Sequence, residues 1–168
     1  MNPIRLLSFT GLALFLFVFQ SQPLSAQGAF LEAGGAAPYY SLNYTHRIFA
    51  AEKWSGYIRA GTGIWGGRLA TPIGGTLLLG GGSHHPEITL AFTPYSEGLR
   101  FWDRDASDLF LDMALGLGYR YQPVSGSAFV AAGLFPFLRL DPTTETLSEE
   151  KAELRVRGGV SVGWFFGG

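Results

Sequence analysis

Residues Asp108 to Gln122 read DLFLDMALGLGYRYQ. Alternate positions separate into two sets. One holds Leu109, Leu111, Met113, Leu115, Leu117, Tyr119 and Tyr121. The other holds Phe110, Asp112, Ala114, Gly116, Gly118 and Arg120. Because a β-strand sends successive side chains to opposite faces, this segment presents a continuous apolar band on one side. Its other side is small, with one acid and one base. A half-buried soluble strand would wet that second face with many polar side chains. Glycines with lone charges instead fit a strand that faces lipid outside and a narrow polar lumen inside.

The same period recurs along the chain and predicts eight extended segments: 28–37, 39–49, 54–65, 71–80, 86–93, 108–122, 127–140 and 153–166. In the second, Tyr40, Leu42, Tyr44 and Ile48 oppose Ser41, Asn43, Thr45 and Arg47. In the last, Leu154, Val156, Val160, Val162, Trp164 and Phe166 oppose Arg155, Arg157, Gly159, Ser161, Gly163 and Phe165. The seventh contains Pro136, which cannot donate to a ladder, so a bulge and a flip of faces are expected there. Segments of about ten residues suit tilted membrane-crossing strands. The predicted fold is therefore all-β: an eight-stranded antiparallel up-and-down transmembrane β-barrel occupying 27–168.

The connections fit that order. With the N-terminus in the periplasm, connections at 37–38, 66–70, 94–107 and 141–150 fall outside, and the two longest are among them. Those at 50–53, 81–85 and 123–126 are short periplasmic turns, the usual asymmetry of such barrels. Tyr39, Tyr40, Trp54, Trp65, Tyr95, Trp102, Tyr119, Tyr121 and Trp164 gather near segment ends, as interfacial girdles do.

Composition narrows the classes. Only 15% of the 168 residues are charged and the net charge is −1, which removes an electrostatic case for nucleic acid. Zero cysteine excludes disulfides, thiolate metal sites and a lipid-modified N-terminal Cys. Residues 1–26 read as a cleaved signal peptide: Arg5, an apolar run from Leu6 to Phe19, then Ser25-Ala26. That run of about 14 residues falls short of the ~20 a spanning helix needs. The expected location is the cell outer membrane. The expected partners are outer-membrane lipid and, during insertion, the barrel assembly machinery.

In this register Glu32, Arg47, Arg59, Glu87, Asp112, Arg120, Arg155 and Arg157 point inward, with Arg139 if the seventh register holds. A lumen charge network of Glu32, Arg59, Glu87, Asp112, Arg120, Arg155 and Arg157 is expected, because an unpaired buried charge is costly. Gly116 and Gly118 are expected to make room for these long side chains. Eight strands leave an interior about filled by side chains, which disfavours an open pore. The 94–107 connection carries Arg100, Phe101, Trp102, Asp103 and Arg104, charges beside exposed aromatics that suit binding of an extracellular ligand or protein.

Catalytic signals are weak. His84, His85 and Glu87 lack a second group of ligands at metal spacing, so no metal is expected. Lipid hydrolases among small barrels use His and Ser two apart on one strand, and no His-x-Ser occurs. Ser41 and Thr45 share one face while His46 is on the other. The glycine strings lack phosphate-loop spacing, so no cofactor is implied.

SLNYTHRI (Ser41 to Ile48), GLGYRYQP (Gly116 to Pro123), AAGLFPF (Ala131 to Phe137) and GVSVGWFF (Gly159 to Phe166) resemble the small uncharacterised outer-membrane β-barrel family of the Bacteroidetes type. The resemblance implies an eight-stranded barrel in the outer membrane and carries no active residues over. The GxSxGWFF ending looks like the terminal strand that assembly machinery reads, although Gly167-Gly168 follow it. The expected role is structural or surface-interactive, through the outer loops. The alternatives are a soluble periplasmic barrel carrying a small apolar ligand, a lipid-modifying enzyme, and a narrow channel.

Overall fold

A computed structural model describes residues 27–97, 108–140 and 152–166. The expected signal peptide, Arg100 to Arg104, the whole 141–150 connection and Gly167-Gly168 lie outside these residues. The described residues form nine strands: β1 Gln27–Gly34, β2 Tyr40–Ala51, β3 Trp54–Trp65, β4 Arg68–Ala70, β5 Ile73–Leu79, β6 His84–Glu97, β7 Asp108–Tyr121, β8 Ala128–Leu140 and β9 Ala152–Phe166.

With β4 and β5 taken together, each strand pairs antiparallel with the next, and β1 pairs with β9 from Gln27↔Phe166 to Gly34↔Gly159, which closes the sheet. β4 and β5 form one stave. They meet β3 at Gly63↔Ala70 and Ala60↔Ile73, and β6 at Ala70↔Tyr95 and Ile73↔Phe92, in unbroken register. The interruption falls at Pro72, which has no N–H to give. The result is a closed eight-stave barrel. Connections β1–β2, β3–β4, β6–β7 and β8–β9 lie at one end (the loop end). The remaining turns lie at the other with Gln27 and Phe166, here the terminal end.

Alternation sorts the side chains as a membrane barrel requires. Leu42, Ile73, Leu117, Leu134 and Val160 stand on the outside and are each more than half exposed. Glu32, Arg59, Asp112 and Arg120 are inside and at most 4% exposed. A soluble carrier of an apolar ligand needs the reverse arrangement, with the apolar faces lining the lumen. Aromatic groups cluster on the outer wall toward the ends. Tyr39 and Tyr40 meet Trp65 at the loop end, and Phe49 meets Trp54 at the terminal end.

Several expectations are corrected. β6 runs on to Glu97, so 94–97 is strand rather than loop. Residues 68–70 are strand too. Gly66 and Gly67 alone make the β3–β4 turn, both at positive φ (56° and 78°), the conformation of a type I′ two-residue hairpin. The bulge expected at Pro136 is absent. Pairs with β9 continue through Pro136↔Val156, and the faces keep their phase to Arg139. Pairing with β7 lapses between Ala114↔Phe137 and Leu117↔Leu134 but resumes in the same register, so the proline costs ladder bonds and not alignment.

A bulge occurs instead in β2. Arg47 faces Tyr57, but Phe49 faces Gly56, so Ile48 is the extra residue and the phase slips by one. Phe49 then lies on the outer wall over Gly56, where any Cβ would sit 2.1 Å from its ring.

Candidate functional site

The lumen holds the chemistry of this chain. Glu32 of β1 receives Arg59 of β3 through two bonds, Nη1 to Oε2 at 3.0 Å and Nη2 to Oε1 at 2.9 Å. Arg59 Nη2 also donates to Asn43 Oδ1 at 2.9 Å, and Ser161 Oγ to Glu32 Oε2 at 3.4 Å. Asp112 of β7 accepts two bonds from its cross-strand neighbour Arg139, at 2.7 and 2.9 Å, and one from Arg157 of β9 at 3.2 Å. Glu87 of β6 accepts from Arg120 Nε at 2.8 Å. Six of the seven expected network residues are thus joined, with Arg139 and Asn43 added.

Arg155 is the exception. It pairs at 2.5 Å with Glu153 and both side chains are about half exposed. The reason is the wall. β1 stops pairing with β9 at Gly34↔Gly159, whereas β8 continues to Leu140↔Ala152. Below Gly159 in number, β9 is therefore an edge strand held by β8 alone, and Glu153 and Arg155 on it meet solvent.

Aromatic rings complete the arginine sites. The guanidinium of Arg59 lies 4.7 Å from the Phe30 ring, Arg120 4.1 Å from Phe129, and Arg157 4.0 Å from Phe137. Each of these arginines has a carboxylate in hydrogen-bond reach and a ring beside its charge, a combination that suits a planar guanidinium, whose face stacks on a ring while its edge pairs with the acid. The rings in turn explain the glycines. A Cβ at Gly116 would lie 2.4 Å from Phe135, and one at Gly163 2.4 Å from Phe129. Gly116 makes room for a phenylalanine and not for an arginine. At Gly118 the close neighbours are backbone atoms, Ala132 O at 2.8 Å first among them. The inward phenylalanines were legible as the odd large members of an otherwise small face.

The first turn, residues 35–39, folds into the loop-end mouth. Ala36 and Ala37 have no exposed surface. Ala36 N donates to Glu32 Oε1 at 3.0 Å, Thr93 Oγ1 to Ala36 O at 2.9 Å, and Arg157 Nη1 to Gly35 O at 3.2 Å. Ala37 packs with Ala70 and Tyr95 of the wall. The charge network thus holds the turn as well as itself. A void lined by Glu87, Thr89, Gly116, Gly133 and Ser161 measures about 10 Å³, room for a single water.

The remaining expected features separate. His84 points outward, bonded to the Tyr119 hydroxyl and packed on Tyr121. His85 and Glu87 point inward, so the wall divides this histidine-acid cluster. Ser41 and Thr45 are buried in the lumen, while His46 is paired with outward Ile58. No Ser41–His46 relay forms.

The closed antiparallel barrel, apolar outside and charged within, is the outer-membrane β-barrel fold. Among solved structures, the chain is similar to the N-terminal β-barrel domain of Pseudomonas aeruginosa OprF. The likeness covers 83% of this chain and 95% of that one, with a TM-score of 0.50 at 17% identity. No family model and no curated protein matches the sequence.

Proposed function

We propose that this chain is an integral outer-membrane protein. In this reading its lumen is plugged by arginine–carboxylate pairs and by the first turn, and it acts at the cell surface through the β6–β7 and β8–β9 connections. The observation that carries the reading is the inversion of polarity: Leu117, Leu134 and Val160 outside, Glu32, Arg59 and Asp112 inside. An exposed apolar belt of this extent is unfavourable in water and favourable in a bilayer. The likeness to OprF supports the fold, and the loose likeness to Bacteroidetes-type small barrels belongs to the same proposal.

The role proposed is structural or interactive, without catalysis or conduction. Arg59, Arg120, Arg139 and Arg157 are engaged by acids and rings, which supports a plug. The test is fractionation of cells producing the protein. It should remain with the outer membrane after a high-salt wash and show a heat-dependent gel shift. Recovery in the soluble periplasm without detergent would overturn the reading. Purified protein in planar bilayers should pass no steady single-channel current. Capture of surface partners from intact cells should depend on Arg100 to Arg104, the charged aromatic stretch of the β6–β7 connection.

A further inference from the structure

A hollow of about 650 Å³ lies on the outside of the barrel, across β7, β8, β9 and β1. Two rows of cross-strand neighbours make it. Tyr119, Ala132, Val160 and Ala33 stand in one row. Tyr121, Val130, Val162 and Leu31 stand in the next. The two tyrosines wall one end. Ala132 and Ala33 carry only a methyl group, so the floor dips between them and the valines. On β2 the rows meet Tyr40 and Leu42, whose larger side chains end the floor.

This trough climbs the wall. Tyr119 and Tyr121 lie where β7 reaches the terminal end, whereas Ala33 is next to the last residue of β1, toward the loop end. The climb follows from strand tilt, because a row of cross-strand neighbours in a barrel is inclined with its strands. The lower mouth is polar. His84 is exposed there and bonded to the Tyr119 hydroxyl, and its ring lies 5.1 Å from that of Tyr121. The lining itself holds no charged side chain.

We propose that the trough binds one acyl chain of a phospholipid, with the headgroup beside His84 and Tyr121. This rests on the reading of the outer wall as a lipid-facing surface. A phospholipid of the leaflet at the terminal end has the matching form, polar at the edge and apolar as it runs inward. Within hydrocarbon no water is expelled on contact, so packing decides the preference. A chain lying in the trough is touched on its floor and its sides. It gathers more dispersion contacts than a chain on the convex wall elsewhere. A second barrel is too broad an occupant. Ten residues line the hollow, whereas a standard protein interface takes roughly 20–30 a side.

The test places the barrel in nanodiscs of phosphatidylcholine doped with a phosphatidylcholine that carries a photoactivatable diazirine in one acyl chain. A diazirine near the headgroup should mark Tyr119 and Tyr121, and one near the chain end Ala33 and Leu31. Even labelling around the wall, or the same sites for both probes, overturns the proposal. Native mass spectrometry of the barrel taken from its membrane in mild detergent should show one retained phospholipid. Ala132→Phe fills the floor and should cut retention at least fivefold. Ala60→Phe, on the outer face of β3, should leave it unchanged. No retained lipid, equal retention in Ala132→Phe, or a retained second copy that this variant abolishes also overturns the site. Should Ala132→Phe lose its gel shift, the labelling of the parent decides. The two readings fail separately. Recovery in the soluble periplasm defeats the membrane reading, whereas a membrane-held barrel labelled evenly defeats this site alone.

Discussion

Glu32 and Arg59 form a two-pronged ion pair at 2.9 and 3.0 Å although their strands, β1 and β3, are not neighbours. The pair spans β2 through the lumen and is tied to that strand by Asn43. It also reaches the first turn, since Glu32 accepts from Ala36 N. One carboxylate thus links three staves and the turn that fills the mouth.

Removing one partner of this pair strands a buried charge. Glu32→Gln or Arg59→Gln should each lower stability by roughly 3–5 kcal/mol. The double change Glu32→Leu with Arg59→Met should be much less harmful than the two single costs added together. Urea unfolding in lipid, followed by tryptophan fluorescence, measures all three. Costs that simply add would mean the two side chains act independently.

Gly116 tests the ring packing. Gly116→Ala places a Cβ against Phe135 and should destabilise by about 1–3 kcal/mol, as overpacking does. Adding Phe135→Leu should recover part of that loss. An unfolding midpoint unchanged by Gly116→Ala would contradict the packing described.

The outer wall separates lipid from water as surroundings. Leu117→Arg should cost about 2–4 kcal/mol in a bilayer if the residue lies near its midplane. On a water-exposed wall the same change stays within about 0.5 kcal/mol. Folding equilibria in vesicles give the answer, with a near-zero cost arguing for water.

The first turn should be as protected as the wall. The Ala36 amide, buried and bonded to Glu32, is expected to exchange with deuterium on the timescale of strand amides. Thr93→Val removes the bond to Ala36 O and should cost about 0.5–1.5 kcal/mol, with faster exchange at Ala36. Rapid exchange in the unaltered chain would show that the turn is not seated.

Much of the architecture could be read before any coordinates. β7 alone carries the faces, and the inward identity of Glu32, Asp112, Arg120 and Arg157 follows from parity. Parity failed at Arg47–Phe49, because a bulge shifts phase without a sequence marker: Ile48 and Phe49 are equally plausible facing out. It was doubted without cause at Pro136, where losing ladder bonds on one side left the register intact. Arg155 was misplaced because parity gives the face of a strand but not the height at which its neighbours stop.

The sequence by itself determined the period of two, the number of staves, the side that meets apolar surroundings and, Arg155 apart, the charges inside. Those are local properties, fixed by the alternation of side chains along each strand. The tertiary structure decided which charge meets which. The pairing Glu32–Arg59 rather than Glu32–Arg157 depends on stagger between staves and on how far each side chain reaches across a closed lumen. It also decided that Gly116 and Gly163 face phenylalanine rings, that residues 35–38 turn inward, and that Arg47 has no carboxylate partner among the described residues. These outcomes are set by three-dimensional closure, which brings together residues far apart in the chain and gives each a fixed height inside the barrel.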